Sequence, residues 1–272
     1  MGFVNRVVEG LFFSTDRRQY WDYRQFRLSG EEFTVPGPGE SKLCGLILHA
    51  ARGGGLPPRG TVLFFHNCTQ NMGNHLAQVA WLTEAGYQVV MFDPQGCGDS
   101  TGTLSLNGYV DDSEAVYRHT LSLPGVTAGT LILFGQGPGA DAALRLLRRH
   151  PDGAAAIVVV SPCATYRGWI LRRYGPGLGH MIAAFLPPGL DENPIDALRE
   201  VKIPLALMIP GKDDTVPKGE SGDVMVACPK HRELWLARNE RMLTAFGKET
   251  EWRGHFLEFA KQALKGKARA AQ

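Results

Sequence analysis

The chain has 272 residues, 44% of them hydrophobic, enough to bury one large core and consistent with a single domain over residues 1–272. Its 29 Lys and Arg against 27 Asp and Glu leave a formal charge of +2, so composition carries no footprint for nucleic acid or an anionic surface. The five cysteines are odd in number and form no C-x-x-C pair, which argues against a disulfide framework and for a reducing compartment.

The opening stretch, MGFVNRVVEGLFFSTD, is too short and too polar for a secretory segment or a membrane span. Phe3, Val4, Val7, Val8, Leu11 and Phe12 can share one face of a short helix, read as packed on its own domain. Arg6 stands where a myristoylation pattern needs Ser or Thr, and the expected location is cytoplasmic. Residues 31–35 and 43–50 then alternate as two strands around a Pro-Gly-Pro-Gly turn, giving an antiparallel start. The short apolar run at 61–65 is of the kind buried on both faces of a parallel sheet. A helix over 74–85 and a strand over 88–92 follow. The alternation continues with a helix over 110–121, a strand over 130–134, a helix over 138–149 and a strand over 155–160. Repeated helix and strand of this kind predicts right-handed crossovers and a doubly wound α/β sheet.

Between 164 and 193 the pattern breaks into Gly and Pro interleaved with aromatics and arginines, which reads as a small cap inserted over the sheet. Strands at 204–209 and 233–237 resume the sheet, and an amphipathic helix over 254–264 turns Phe256, Leu257, Phe259, Ala260 and Leu264 to the core.

The stretch TLILFGQGPGADAALRLLRRH, 130–150, is a strand, a Gly-rich turn and a helix. The turn has the spacing G-x-S-x-G with Gly137 at its centre. In that motif a nucleophile sits on a strained strand-to-helix corner with glycines on either side. The chain here resembles the α/β-hydrolase superfamily, specifically its short-capped serine-hydrolase-like branch, and the likeness runs over about 43–264. His66 and Asn67 after the strand at 61–65 resemble the His-Gly oxyanion loop, with Asn in place of Gly. FDPQGCGDSTG at 92–102 resembles D-x-R-G-x-G-x-S-x-G, with Gln95 at the Arg position. PGKDDTVP at 210–217 resembles the acid loop. Counting forward from Gly211 selects Asp214, and counting back from Val216 and Pro217 selects Asp213; Asp214 is taken as the acid. LWLARNERMLTAF at 234–246 matches the family's last segment, and the position of its catalytic histidine falls on Met242. His255, 13 residues on and inside the last helix, reads as a surface residue.

The resemblance implies an α/β-hydrolase fold, mostly parallel, with a degenerate catalytic triad. Gly137 has no hydroxyl, Met242 no imidazole, and Pro138 lacks the backbone N–H that the residue after the nucleophile supplies to the oxyanion. Serine hydrolysis is therefore not expected, and the triad positions Gly137, Asp214 and Met242 are vestigial. The loops at the strand ends still line a crevice. They carry His66, Asn67, Cys68, Gln95, Cys97, Gly137, Pro138, Cys163, Asp214 and Met242 as the expected pocket. Cys68, Cys97 and Cys163 with His66 or His75 show no metal-ligand spacing, so neither metal nor cofactor is expected. Asp141, one turn into the helix, is either a charge placed toward the positive helix terminus or a polar plug reaching toward the space above Gly137. The expected function is a non-hydrolytic pseudo-hydrolase that binds a small, largely apolar ligand or a protein partner, with no nucleic acid and no membrane span. The alternative is an enzyme using non-serine chemistry, such as a lyase, cyclase or thiol-dependent acyl transferase.

Overall fold

The computed structural model describes residues 3–52, 55–187, 190, 192–213, 215–230, 232–248 and 250–270. In chain order the elements are α1 (Phe3–Glu9), β1 (Ser14–Thr15), β2 (Gly30–Pro36), β3 (Lys42–Leu48), β4 (Thr61–Phe65), β5 (Thr69–Gln70), α2 (Leu76–Glu84), β6 (Gln88–Asp93) and α3 (Leu106–Ser122). They continue as β7 (Leu131–Gln136), α4 (Pro138–Arg149), β8 (Ala156–Val160), α5 (Tyr166–Tyr174), α6 (Pro176–Ala183), α7 (Pro194–Arg199), β9 (Leu205–Pro210), α8 (Lys218–Ala227), β10 (Glu233–Ala237) and α9 (Trp252–Ala270). Eight strands form the main sheet in the order β10-β9-β8-β7-β4-β6-β3-β2. Pairs from β10 to β6 are parallel, and β3 pairs antiparallel with both β6 and β2. This is the α/β-hydrolase architecture.

The apolar runs follow from burial on both faces. Leu63 and Phe65 of β4, Leu131 and Leu133 of β7, Ile157 and Val159 of β8 face one core, shared with α3, α4, α7 and Val224 of α8. Their alternates, Val62 and Phe64, Ile132 and Phe134, Val158 and Val160, face a second core closed by α2 and α9. A period-two strand with apolar residues on both sides reads as a continuous hydrophobic run. Phe64, Phe134 and Phe256 are fully buried in the second core and stack edge-on or tilted at 5.0 to 5.3 Å, each burial contributing about 1.5–3 kcal/mol.

Some helix starts depart from what periodicity indicates, because caps rather than apolar residues set them. α3 begins at Leu106 instead of 110, where the Ser105 side chain accepts from Gly108 N–H. The expected helix at 74 is preceded by a 3-10 turn, Met72–His75, whose Asn71 side chain accepts from Gly73 N–H. Hydrophobic periodicity does not announce the helices at 194–199 and 218–227. Both are short and begin beside a proline, which serves as first-turn residue or cap. Residues 166–183 fold as the two helices α5 and α6, which with Phe12 and Val8 enclose a third, small core around Tyr166, Trp169 and Ile170.

β4 leads to β6 on one side of the sheet, and β6 then crosses to β7 on the other. The ends of β4 and β7 are therefore the switch point, where a crevice opens. Two glycines set how closely the elements meet there. A Cβ at Gly139 would stand 2.2 Å from the Phe65 carbonyl oxygen and 2.4 Å from that of His66, and one at Gly135 would stand 2.5 Å from the Ala140 Cα. Gly139→Ala is accordingly expected to lower stability by about 2–3 kcal/mol in urea unfolding, since backbone cannot yield as a side chain can. Gly177→Ala, in α6 with nothing within 4 Å of the added carbon, is expected to stabilise by about 0.5 kcal/mol.

Candidate functional site

The strand-to-helix corner is built as a nucleophile elbow. Gly137 holds φ +53° and ψ −126°, a conformation L-residues rarely adopt, and Pro138 opens α4 in its first turn. Gly137 N–H donates to the Val160 carbonyl at 2.9 Å, and the Gly137 carbonyl accepts from Ala140 and Asp141 N–H. A side chain at 137 would start 3.3 Å from the Asn67 Cβ and 3.4 Å from the Met242 Sδ. Asn67 and Met242 thus bound the place a nucleophile would occupy. Asn67 also closes its own turn, its Oδ1 accepting from Thr69 N–H at 3.0 Å. Met242 is 3% exposed and packs in the second core with Phe246.

Above the elbow lies a cavity of about 220 Å³, small for a ligand site. Asn67, Gly137, Pro138 and Met242 line it, with Ser161, Cys163 and Asp141 beside them. Its outer wall is Trp169, Arg173 and Tyr174 from α5. The remaining cover comes from residues 11–14, because β1 pairs in parallel with β5 immediately after the His66–Asn67 loop. Ser14 N–H donates to the Cys68 carbonyl and Asp16 N–H to that of Gln70, and Asn71 donates to the Arg18 carbonyl. The N-terminal segment is therefore a strap across the site. Trp169 fixes the opposite side through its Nε1–H, which donates to the Thr215 carbonyl at 3.0 Å.

Asp141 and Cys163 form the polar wall. Asp141 is 4% exposed; its Oδ1 accepts from Cys163 N–H at 3.0 Å and its Oδ2 lies 3.2 Å from the Cys163 Sγ. Burial pushes the carboxyl up to about 7, and Glu220 acts in the same direction, against the Cys163 hydrogen bonds and Arg145. Burial and the neighbouring Asp141 carboxyl likewise push the Cys163 thiol well above its ordinary range. The loop that carries Cys163 is held by Glu220 of α8, which accepts from Ala164 and Thr165 N–H and pairs with Arg172 at 2.6 Å.

Other residues expected at the pocket stand elsewhere, each for an identifiable reason. His66 is fully buried below the cavity: its Nδ1 accepts from Cys68 N–H, which places the ring proton on Nε2, 3.4 Å from Asp93 Oδ1. It stacks on His75 at 4.9 Å, and burial, then His66, pulls His75 down to about 3. Gln95 turns away to the Asp112 carboxylate, bonding it through both N–H and side-chain amide at 2.8 Å. Cys68 and Cys97 are in the interior beside Tyr109, whose hydroxyl donates to the His66 carbonyl, and burial pushes the Cys68 thiol well up. Asp214 lies outside the described residues. Asp213 caps its own turn, Oδ1 accepting from Thr215 N–H and Oγ1 at 2.9 and 2.6 Å. His255 is an exposed residue of α9 against Trp252 and Trp235. Among the described residues no three His, Cys, Asp or Glu side chains converge as metal ligands would, and no helix is long and apolar enough to cross a membrane.

Ser161, Trp169, Tyr174 and the strap residues were not in the expected pocket. Ser161 carries φ +52° at the end of β8, a strain that a motif scan does not register. The strap depends on a two-residue ladder too short to show periodicity.

A family model described as serine aminopeptidase, S33, matches residues 56–197. The chain is 26% identical over 249 residues to YfhR of Escherichia coli, covering 89% of this chain and 83% of that one. It is 29% identical over 172 residues to the lysophosphatidylserine lipase ABHD12 of Danio rerio, covering 57% of this chain and 43% of the lipase. The Pyrococcus furiosus esterase Pf2001 superposes with a TM-score of 0.70 at 20% identity, over 90% of this chain and 96% of that one.

The Asp141 carboxyl makes stability depend on pH with a definite sign. The folded state holds this proton up to about 7 and the unfolded chain releases it near 3.8, so the contribution is complete below 3.8 and is lost as pH rises to 7. Asp141→Asn, isosteric and uncharged, is expected to raise Tm relative to the unaltered chain more at pH 8 than at pH 5, read by calorimetry at the two pH values.

Proposed function

The chain belongs to the serine aminopeptidase S33 family of α/β-hydrolases, and on that premise we propose that it is a non-hydrolytic member whose cavity binds a small, largely apolar ligand. The observation that carries this reading is the state of the elbow. The strained corner, its glycines and the crevice are built as in a serine hydrolase, yet the residue at the corner is Gly137 and the next is Pro138. Loss of a single oxyanion donor costs on the order of a hundredfold in rate, and a triad works as a unit. Met242 fills the side from which a base would approach, with its thioether against the Gly137 position. The lipase and esterase names of similar proteins describe hydrolysis of esters, and these positions are where such chemistry would need a hydroxyl, an imidazole and an amide.

A ligand fits this site better than a protein partner does. The cavity lies under the strap and α5, and aromatic and aliphatic side chains dominate its walls, as in small-molecule sites. Thiol-dependent acyl transfer fares poorly on electrostatics. Burial holds both Cys68 and Cys163 as thiols, and the thiolate is the nucleophile.

Fluorophosphonate labelling and p-nitrophenyl acyl ester turnover are both expected at background. Gly137→Ser alone is expected to remain at background as well, because the hydroxyl would have no base and no complete oxyanion hole. Stoichiometric labelling of the unaltered chain, or ester turnover by the single variant at the level of ordinary esterases, would overturn the reading.

A further inference from the structure

Asp141 stands on the cavity wall four residues past the elbow, and its two oxygens are unequal. Oδ1 accepts a backbone N–H from Cys163, a bond available whether or not the carboxyl is ionised. Oδ2 faces the Cys163 thiol at 3.2 Å, so a proton on this carboxyl resides on Oδ2. Ionised, Oδ2 accepts from the S–H. Protonated, Oδ2–H has among the described residues only a sulfur, a weak acceptor, unless a better one enters the cavity.

We propose that Asp141 is the head-group site of the cavity, binding the carbonyl oxygen of an uncharged aliphatic ligand by donating from Oδ2 in its protonated form. The inference rests on the reading of the cavity as a site for a small apolar ligand, and it names the chemistry at one end of that ligand. A carbonyl has acceptor lone pairs and no proton to give, so it complements the acid and opposes the carboxylate. The groups that surround Asp141 come from several elements. Cys163 approaches from the loop after β8, Tyr166 from α5, Glu220 from α8 and Arg145 from the next turn of α4. Arg145 is held by the Leu106 carbonyl and Asn107, and Glu220 by the Ala164 and Thr165 amides and Arg172. Arg173 lines the outer edge. Arg145 and Glu220 act in opposite directions on Asp141, which leaves burial dominant and the change of state about neutral pH.

The test uses 2-octanone, which can neither be hydrolysed nor titrated, and n-octylamine as a cationic counterpart, each titrated into the full chain calorimetrically at pH 5.5 and 8.5. The ketone is expected to bind about tenfold more tightly at pH 5.5, the worth of one buried hydrogen bond, and the amine more tightly at pH 8.5. Asp141→Asn, which keeps a donor at every pH, is expected to bind the ketone equally at both. Cys163→Ala provides a second variant: it removes the hydrogen bond that favours the ionised form, so the midpoint of the ketone's pH profile is expected to move up. Equal ketone affinity at both pH values, a pH dependence that survives in Asp141→Asn, or an unmoved midpoint in Cys163→Ala overturns the assignment while the cavity reading stands. Failure of both probes to bind at either pH overturns the two together.

Discussion

The close approach of α4 to the end of β4 is the constraint on which the rest of the site depends. With Gly139 lying against the carbonyls of Phe65 and His66, the first turn of α4 has one position relative to the sheet. That position sets the corner at Gly137, the direction of Asp141 into the cavity and the placement of Asn67 on the opposite side. Glycine takes the positive φ at 137 without the clash an L side chain would meet, and the burial of α4, whose residues 139–147 are all buried, including Arg145, holds the turn in place. A side chain at the corner would bear the strain that glycine avoids.

The sheet was open to reading from sequence because its strands are buried on both sides and its crossovers are punctuated by glycine and proline. Runs such as 61–65 and 155–160 are too short for a helix of ordinary length and are rich in β-branched and aromatic residues, which favours a buried strand. Helix beginnings were less accessible, since Ser105 and Asn71 act through single hydrogen bonds that a hydrophobic pattern does not contain. Short helices such as α7 owe their stability to tertiary packing on the first core and carry too few residues to announce a period.

The site divides along a similar line. Gly137, Pro138, Asn67 and Met242 come from contiguous motifs on strand ends, and the structure gathers them around one cavity. His66, Gln95, Cys68 and Cys97 lie in the same motifs, but their side chains point to partners that only the fold supplies: Asp93, Asp112 and the Tyr109 hydroxyl. A motif specifies where a backbone goes, whereas the direction of a side chain depends on what is packed behind it. Asp141 illustrates the converse. Its position in the helix allowed either a charge toward the helix terminus or a polar plug toward the space above Gly137, and the residue its carboxyl bonds, Cys163, is 22 residues away.

The strap adds a second constraint to this arrangement. Residues 11–14 cover the cavity and are anchored by the short β1–β5 ladder and by hydrogen bonds to the Cys68 and Gln70 carbonyls. Leu11, Phe12, Phe13 and Ser14 are at the same time part of the cavity lining, so the docking of the N-terminal segment decides the shape of the cavity as well as its cover. The bonds that hold the segment run from backbone to backbone, so a changed side chain at Ser14 leaves them in place, whereas proline there would remove the N–H given to the Cys68 carbonyl.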